Sequence, residues 1–133
     1  MIVNLTQHPA TADQILAGVV DLSGELIASL KEALTFDSLP DAEEIRVRAE
    51  HIAELACYNG QSGDEGDSPL PQQAMIGGAL WLMAPLAAAL RARSIEPVFA
   101  FSVRATEEQC QAADGTVRKV TVFRHAGFVP AVA

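Results

Sequence analysis

The chain has 133 residues, half of them hydrophobic, which is the usual size and apolar content of one cored domain and argues against disorder. A formal net charge of −8 excludes general affinity for long nucleic acid, and Cys57 and Cys110, far apart and without CxxC spacing, exclude a zinc or redox motif. The N-terminus has no basic n-region or long apolar h-region, and the richest apolar stretch, Ala74 to Leu90, is cut by Gly77, Gly78 and Pro85. A cytoplasmic protein with plain thiols, no export signal and no membrane span is therefore expected.

Met1 to Leu5 reads as a short strand, followed by a turn-prone Pro9. Thr11-Ala-Asp-Gln14 then fits a capping box, in which the Thr hydroxyl accepts from the N3 amide and the Gln side chain reaches back, so a first helix should begin at Ala12. Gly18 ends it before Val19-Val20-Asp21-Leu22, a candidate edge strand. From Ser23, Leu26, Ile27, Leu30 and Leu34 repeat at helical spacing and give one apolar face. Pro40 and Asp41 open a third helix carrying Ile45, Ala49, Ile52 and Ala56, with Glu43 and Glu44 at its positive end.

Between Asn59 and Pro71 the composition turns to Gly, Ser, Asp, Glu and Pro, which predicts a mobile acidic surface loop inside a single domain of residues 1–133. In the run AMIGGALWLMAPLAAALRARSI, Leu82, Leu86 and Leu90 share a helical face, with Gly77 and Gly78 in the loop or in a distorted helix start and the regular helix beyond them. Pro85 is tolerable there only near the first turn or as a kink. EPVFAFSVR, residues 96–104, is apolar on both faces, as expected of a central strand covered by helices on each side. Val117 to His125 make a last strand, joined to it through Asp114-Gly115 as a long hairpin. The whole predicts an α/β fold: a small Rossmann-like three-layer sandwich, mainly parallel, with a C-terminal hairpin strand.

Three constellations are candidates for binding. Thr6, His8 and Thr11 follow the carboxyl end of the first strand, where ligands of open α/β sheets sit and a helix N-terminus attracts anions. The competing structural account is that Thr11 only caps, Thr6 bonds a turn amide and His8 is an exposed loop residue. Gly77-Gly78 lets backbone approach a phosphate closely, but no Lys-Ser/Thr follows and GxGxxG is absent, so close packing or a helix break explains the pair equally well. Arg104, Arg118, Lys119 and Arg124, with Ser102 and His125, form a basic set whose same-parity arginines could project to one face and bind phosphate bidentately; a charged, protected sheet edge is the alternative. The charge distribution favours a local anion site over a general one. Residues 1–90 carry 13 acids against 3 Lys or Arg, whereas residues 91–133 carry 4 acids against 6. HExxH, GxSxG and any defensible Cys/His/carboxylate set are missing, His51 belongs on the surface of an acidic helix, and neither metal nor cofactor is called for.

The opening, a strand followed by NLTQHPATADQ, resembles the N-terminal signature of small CRISPR-associated proteins with a CARF-like, Rossmann-type fold, among them type III accessory families that bind or degrade cyclic oligoadenylates. The matching residues are Asn4, Leu5, Thr6, His8, Thr11 and Gln14. The likeness extends to the C-terminal third, where Gly77-Gly78, an Ala/Leu-rich helix ending in Arg91 and Arg93, and PVFAFSVR occur in the same order. It leaves out the helices between Ser23 and Tyr58 and the acidic segment 59–71, and the pattern is also similar to uncharacterised small proteins carried by prophages. The resemblance implies a homodimer that binds a cyclic oligonucleotide such as cyclic tetra-adenylate across its two-fold axis. Asn4, Thr6, His8 and Thr11 would lie on the first-strand loop and Gly77 and Gly78 on a second phosphate loop, with Ser102, Arg104 and Arg124 as further ligand contacts.

Three functions follow as expectations. The first is a module that sequesters a cyclic oligonucleotide and so tunes nucleotide-signalled antiviral immunity. The second is a metal-independent ring nuclease that aligns a ribose 2′-hydroxyl with its phosphate, in which His8 is the acid or base and Arg124 or a loop amide stabilises developing charge. The third is an interaction subunit whose acidic helix, Glu43 to Glu54, binds a basic partner without any small ligand. Binding without cleavage ranks first, because no acid/base pair is visible at any spacing.

Overall fold

The protein is described by a computed structural model covering residues 1–59, 71–110 and 115–132. The element order is β1 (Ile2–Leu5), α1 (Ala12–Leu16), β2 (Val19–Asp21), α2 (Gly24–Leu34), α3 (Ala42–Asn59), β3 (Gln73–Ile76), α4 (Leu80–Arg91), β4 (Glu96–Cys110) and β5 (Val117–Pro130). One sheet of order β2-β1-β3-β4-β5 holds all five strands. The first four are parallel and β5 returns antiparallel to β4. The fold is α/β, as the alternation of strand and helix signals requires. The acidic loop expected between Asn59 and Pro71 falls almost wholly outside the described residues.

The chain runs from β1 through α1 to β2 on one side, then from β2 through α2 and α3 back across β1 to β3 on the other side. Parallel crossovers are right-handed, so the two connections must lie on opposite faces of the sheet. Accordingly Val3, Leu5, Ala74 and Ile76 pack against α2, α3 and α4, through Leu30, Leu34, Ile52, Leu82, Leu86 and Leu90 among others. Ile2, Val19, Met75 and Val98 form a smaller cluster on the other face with Ala10 and Phe128. That face has little cover: α1 buries none of its residues, and Ile15 and Leu16 stay exposed.

The capping box forms as read, with Gln14 N donating to Thr11 Oγ1 at 3.2 Å and Thr11 N donating to Gln14 Oε1 at 3.0 Å. Gly18, at φ +101°, turns the chain into β2, the edge strand. Asp41 caps α3 by accepting from Glu44 N at 2.8 Å. Two expectations are corrected. Residues 73–76, given no strand of their own ahead of the helix, are the central strand β3; so short a stretch, buried from Ala74 to Ile76, carries no periodicity by which to read a strand. The second concerns residues 96–104, of which only the first part is covered. β4 pairs with β3 only over Glu96 to Val98, and from Ala100 it runs out of the body with β5, so that Phe101 and Val103 are exposed. Pro85 lies in the second turn of α4, where its missing N–H leaves the Trp81 carbonyl without its helical donor.

Candidate functional site

The β1–α1 loop is shaped from below by Asn4, a polar side chain only 4% exposed. Its Nδ2 donates to the His8 carbonyl and to Asp21 Oδ1, both at 2.8 Å. Its Oδ1 accepts from Thr6 N at 2.9 Å and from Thr6 Oγ1 at 2.7 Å. Asp21, at the end of β2, also accepts from Ala10 N at 3.0 Å. Every hydrogen-bonding position of the amide is thus engaged inside the protein. Asn4 therefore sets the curvature of residues 6–10 and has nothing left to offer a ligand.

The same network changes what Thr6 presents. Its one hydroxyl proton goes inward to Asn4, so toward the cleft it offers acceptor lone pairs, which suit a ligand hydroxyl or amine better than a phosphate oxygen. His8 is exposed at the crest of the loop.

Two cavities flank this crest and share Thr6, Gln7, His8 and Pro9. The smaller, of ≈ 80 Å³, lies toward β2 and α2 and adds Asn4, Asp21, Ile27 and Lys31. The larger is an open cleft of ≈ 690 Å³ above the carboxyl ends of β1 and β3 and beside Phe99 and Ala100 of β4, walled by Thr11 and Gln14 on one side and by Gly77, Gly78 and Ala79 on the other, with Met75 and Ile76 at its floor. It stands where the chain direction reverses between β1 and β3, the crevice where open α/β sheets hold their ligands. Its size is within the ~300–1,000 Å³ of small-molecule sites.

The two helices beside the cleft differ in what they offer. α1 is one turn long and its Gln14 amide is already taken by Thr11, so it supplies little of the positive end expected of it. α4 has twelve residues, begins at Ala79 without a side-chain cap and follows Gly77-Gly78. Gly78 has φ +135°, and Gly77 borders the β1–α1 loop, where an added Cβ would be in ordinary contact with Thr6 Cγ2 at 3.5 Å. The polar loop and the glycine-bearing loop thereby line one cleft.

The basic set is not brought to the cleft. Ser102 and Arg104 are exposed on β4 beyond Ala100, the last residue of that strand to touch it. Arg124 forms an ion pair with Glu107, and Arg104 lies over the Phe123 ring, 5.7 Å from its centroid. Among the described residues that line the larger cleft, none is Lys or Arg. Lys31, on the wall of the smaller cavity, was missed because a lone Lys on an amphipathic helix has no distinguishing spacing. Phe99 and Ala100 were missed because only the sheet order places them beside β3.

Elsewhere, Arg48 closes the C-terminal end of α2, donating to the Glu32, Ala33 and Thr35 carbonyls, pairing with Glu44 at 2.9 Å and stacking on Phe36. No helix is long and apolar enough to cross a membrane, and no group of His, Cys, Asp and Glu among the described residues could hold a metal. No curated protein and no solved structure matches the chain. A family model does match, over residues 1–129, and by that match the chain belongs to the uncharacterized protein MJ1673 family.

Proposed function

We propose that the cleft binds a cyclic oligonucleotide, with cyclic tetra-adenylate the first candidate, and that the protein acts by sequestering it, so damping nucleotide-signalled antiviral immunity. The observation that carries this reading is the position of the cleft at the reversal between β1 and β3, between a polar loop locked by Asn4 and a glycine pair entering α4. Backbone amides at Gly77 to Leu80 would meet phosphate, and the Thr6 lone pairs would accept from ribose or base. The resemblance of NLTQHPATADQ to CARF-like proteins supports the ligand class. A ring of several nucleotides exceeds a single small-molecule cleft, which favours two chains sharing one ligand.

Cleavage ranks second, because among the described residues that line the cleft His8 is the one acid/base side chain. The acidic-surface reading is weakened by the helix that was to carry it: Glu43, Glu44 and Glu50 are paired with Arg46, Arg48 and Arg93.

The test is to incubate the protein with cyclic di-, tri-, tetra- and hexa-nucleotides, separate protein from free ligand, and analyse both by chromatography. Recovery of one intact ring from the protein fraction is the expected result. Linear products would replace sequestration by a nuclease activity, and ligands that all remain free and whole would overturn nucleotide recognition.

A further inference from the structure

The most unusual surface of the protein is the ribbon that β4 and β5 make beyond Ala100. Its two strands pair with each other down to the register of Cys110 with Val117, yet past Val98 β4 has lost β3, and β5 is the last strand of the sheet. Among the described residues, both long edges of the ribbon are therefore unpaired by strands. Isolated two-stranded ribbons are marginal in water and open edges invite a partner, so a ribbon of this length calls for something to lie on it. Its side chains call for the same. Phe101 is 51% exposed and Phe123 70%, with Val103 and Val117 also out in solvent.

We propose that a second copy of this chain covers the ribbon, each arm lying across the partner's cleft and supplying the cation that cleft lacks. Charge selects this occupant. Residues 1–98 carry 14 acids against 5 Lys or Arg, whereas the described residues of the ribbon carry Arg104, Arg118, Lys119 and Arg124 against Glu107 and Glu108. Body repels body, but arm attracts body. The cleft supplies the second argument. No described residue that lines it is Lys or Arg, and Arg104, which has no carboxylate partner among the described residues, lies four residues past the last β4 residue to touch it, about 13 Å farther along the strand. The cation is on the right edge of the fold but out of reach of its own site. An exchange of arms about a two-fold axis satisfies both copies with the same contacts and closes the assembly at two. The dimer stands on the ribbon and the charges alone; the role of Arg104 toward a phosphate rests on the function proposed above.

Sedimentation equilibrium of the full chain at about 20 µM, well above the Kd expected of a specific interface, should give a dimer. The double variant Phe101→Ser/Phe123→Ser, altered only at exposed positions, should give a monomer with an unchanged far-ultraviolet dichroism spectrum. Mixing Gln7→Cys with Arg104→Cys chains of different mass should yield a mixed disulfide dimer on mild oxidation, above the level of wild-type chains mixed in the same way. Arg104→Ala should weaken binding of cyclic tetra-adenylate about 10-fold or more without dissociating the dimer. A monomeric wild type, a dimer that the double variant leaves intact, or no mixed disulfide would each overturn the exchange of arms. If dimer and cross-link form but no cyclic nucleotide binds, the proposed function fails and the arm exchange stands.

Discussion

Asn4 is the residue on which the candidate site depends most, and its role is architectural. It joins the end of β1, the β1–α1 loop and the end of β2 through four hydrogen bonds in a nearly dry position. Asn4→Asp keeps the shape but turns the donor that faces Asp21 and the His8 carbonyl into a charged acceptor. The expected loss is about 3 kcal/mol or more, read from the urea midpoint, since a buried group is then both unpaired and set against a like charge. Asp21→Asn in that background restores a donor opposite the new carboxylate. The double variant should be more stable than Asn4→Asp alone, and additive losses would disprove the pairing.

The two glycines separate in the same way. At Gly78 a Cβ meets only Leu34 and Met83 at ordinary distances, so the cost of Gly78→Ala is the backbone at φ +135°, about 1–3 kcal/mol in thermal or urea unfolding. Gly77 has no such constraint, and a Cβ there would meet only Thr6 Cγ2, at an ordinary contact distance of 3.5 Å. Gly77→Val should leave stability within about 1 kcal/mol and weaken cyclic tetra-adenylate in equilibrium dialysis. If affinity is unchanged, the glycine loop does not contact the ligand.

At the scale of elements, cooperativity differs between helices that share the core and the one that does not. α1 has a complete capping box yet buries no residue, so its stability is local. Removing the cap by Thr11→Ala, usually worth about 0.5–2 kcal/mol, should raise amide exchange over residues 12–16 and leave the global unfolding free energy nearly unchanged. A fall in global stability of the full capping energy would mean that α1 is packed more firmly on the sheet than its exposed side chains indicate.

Legibility in the sequence follows the same division. The capping box, the Gly18 stop, the apolar face of α2 and the Asp41 start of α3 are all written within four or five adjacent residues, and all formed as read. β3 was illegible because its four residues are a strand only by virtue of lying between β1 and β4. PVFAFSVR misled for a related reason. An apolar stretch that leaves the body looks in sequence like one that stays inside it, and only the short reach of β3 decides which residues are covered.

Taken as a whole molecule, the protein is an acidic body with a protruding arm whose last strand is basic, and its response to polyanions should follow the net charge of −8. A labelled 20-base-pair duplex at ~150 mM salt, where even non-specific binders have Kd near 10⁻⁴–10⁻⁶ M, should show no change in fluorescence anisotropy at 10 µM protein. Tight, salt-sensitive binding would mean that the cations of β5 act as a nucleic-acid surface and would remove the charge argument for arm exchange.

What the sequence by itself determined about this protein is its class, the starts of α1, α2 and α3, and the two loops, Thr6 to Thr11 and Gly77-Gly78, that carry unusual backbone or capping chemistry. Those features are local: a cap, a stop or an apolar face depends on residues a turn apart. The tertiary structure alone decided that these loops face each other across one cleft, that Asn4 is spent on holding one of them, and that Ser102, Arg104 and Arg124 stand outside it. Strand order and the length over which strands pair are set by contacts between residues tens of positions apart. Spacing in the chain records neither, so the same arginines that the sequence assigned to the site are placed by the fold on an arm beyond it.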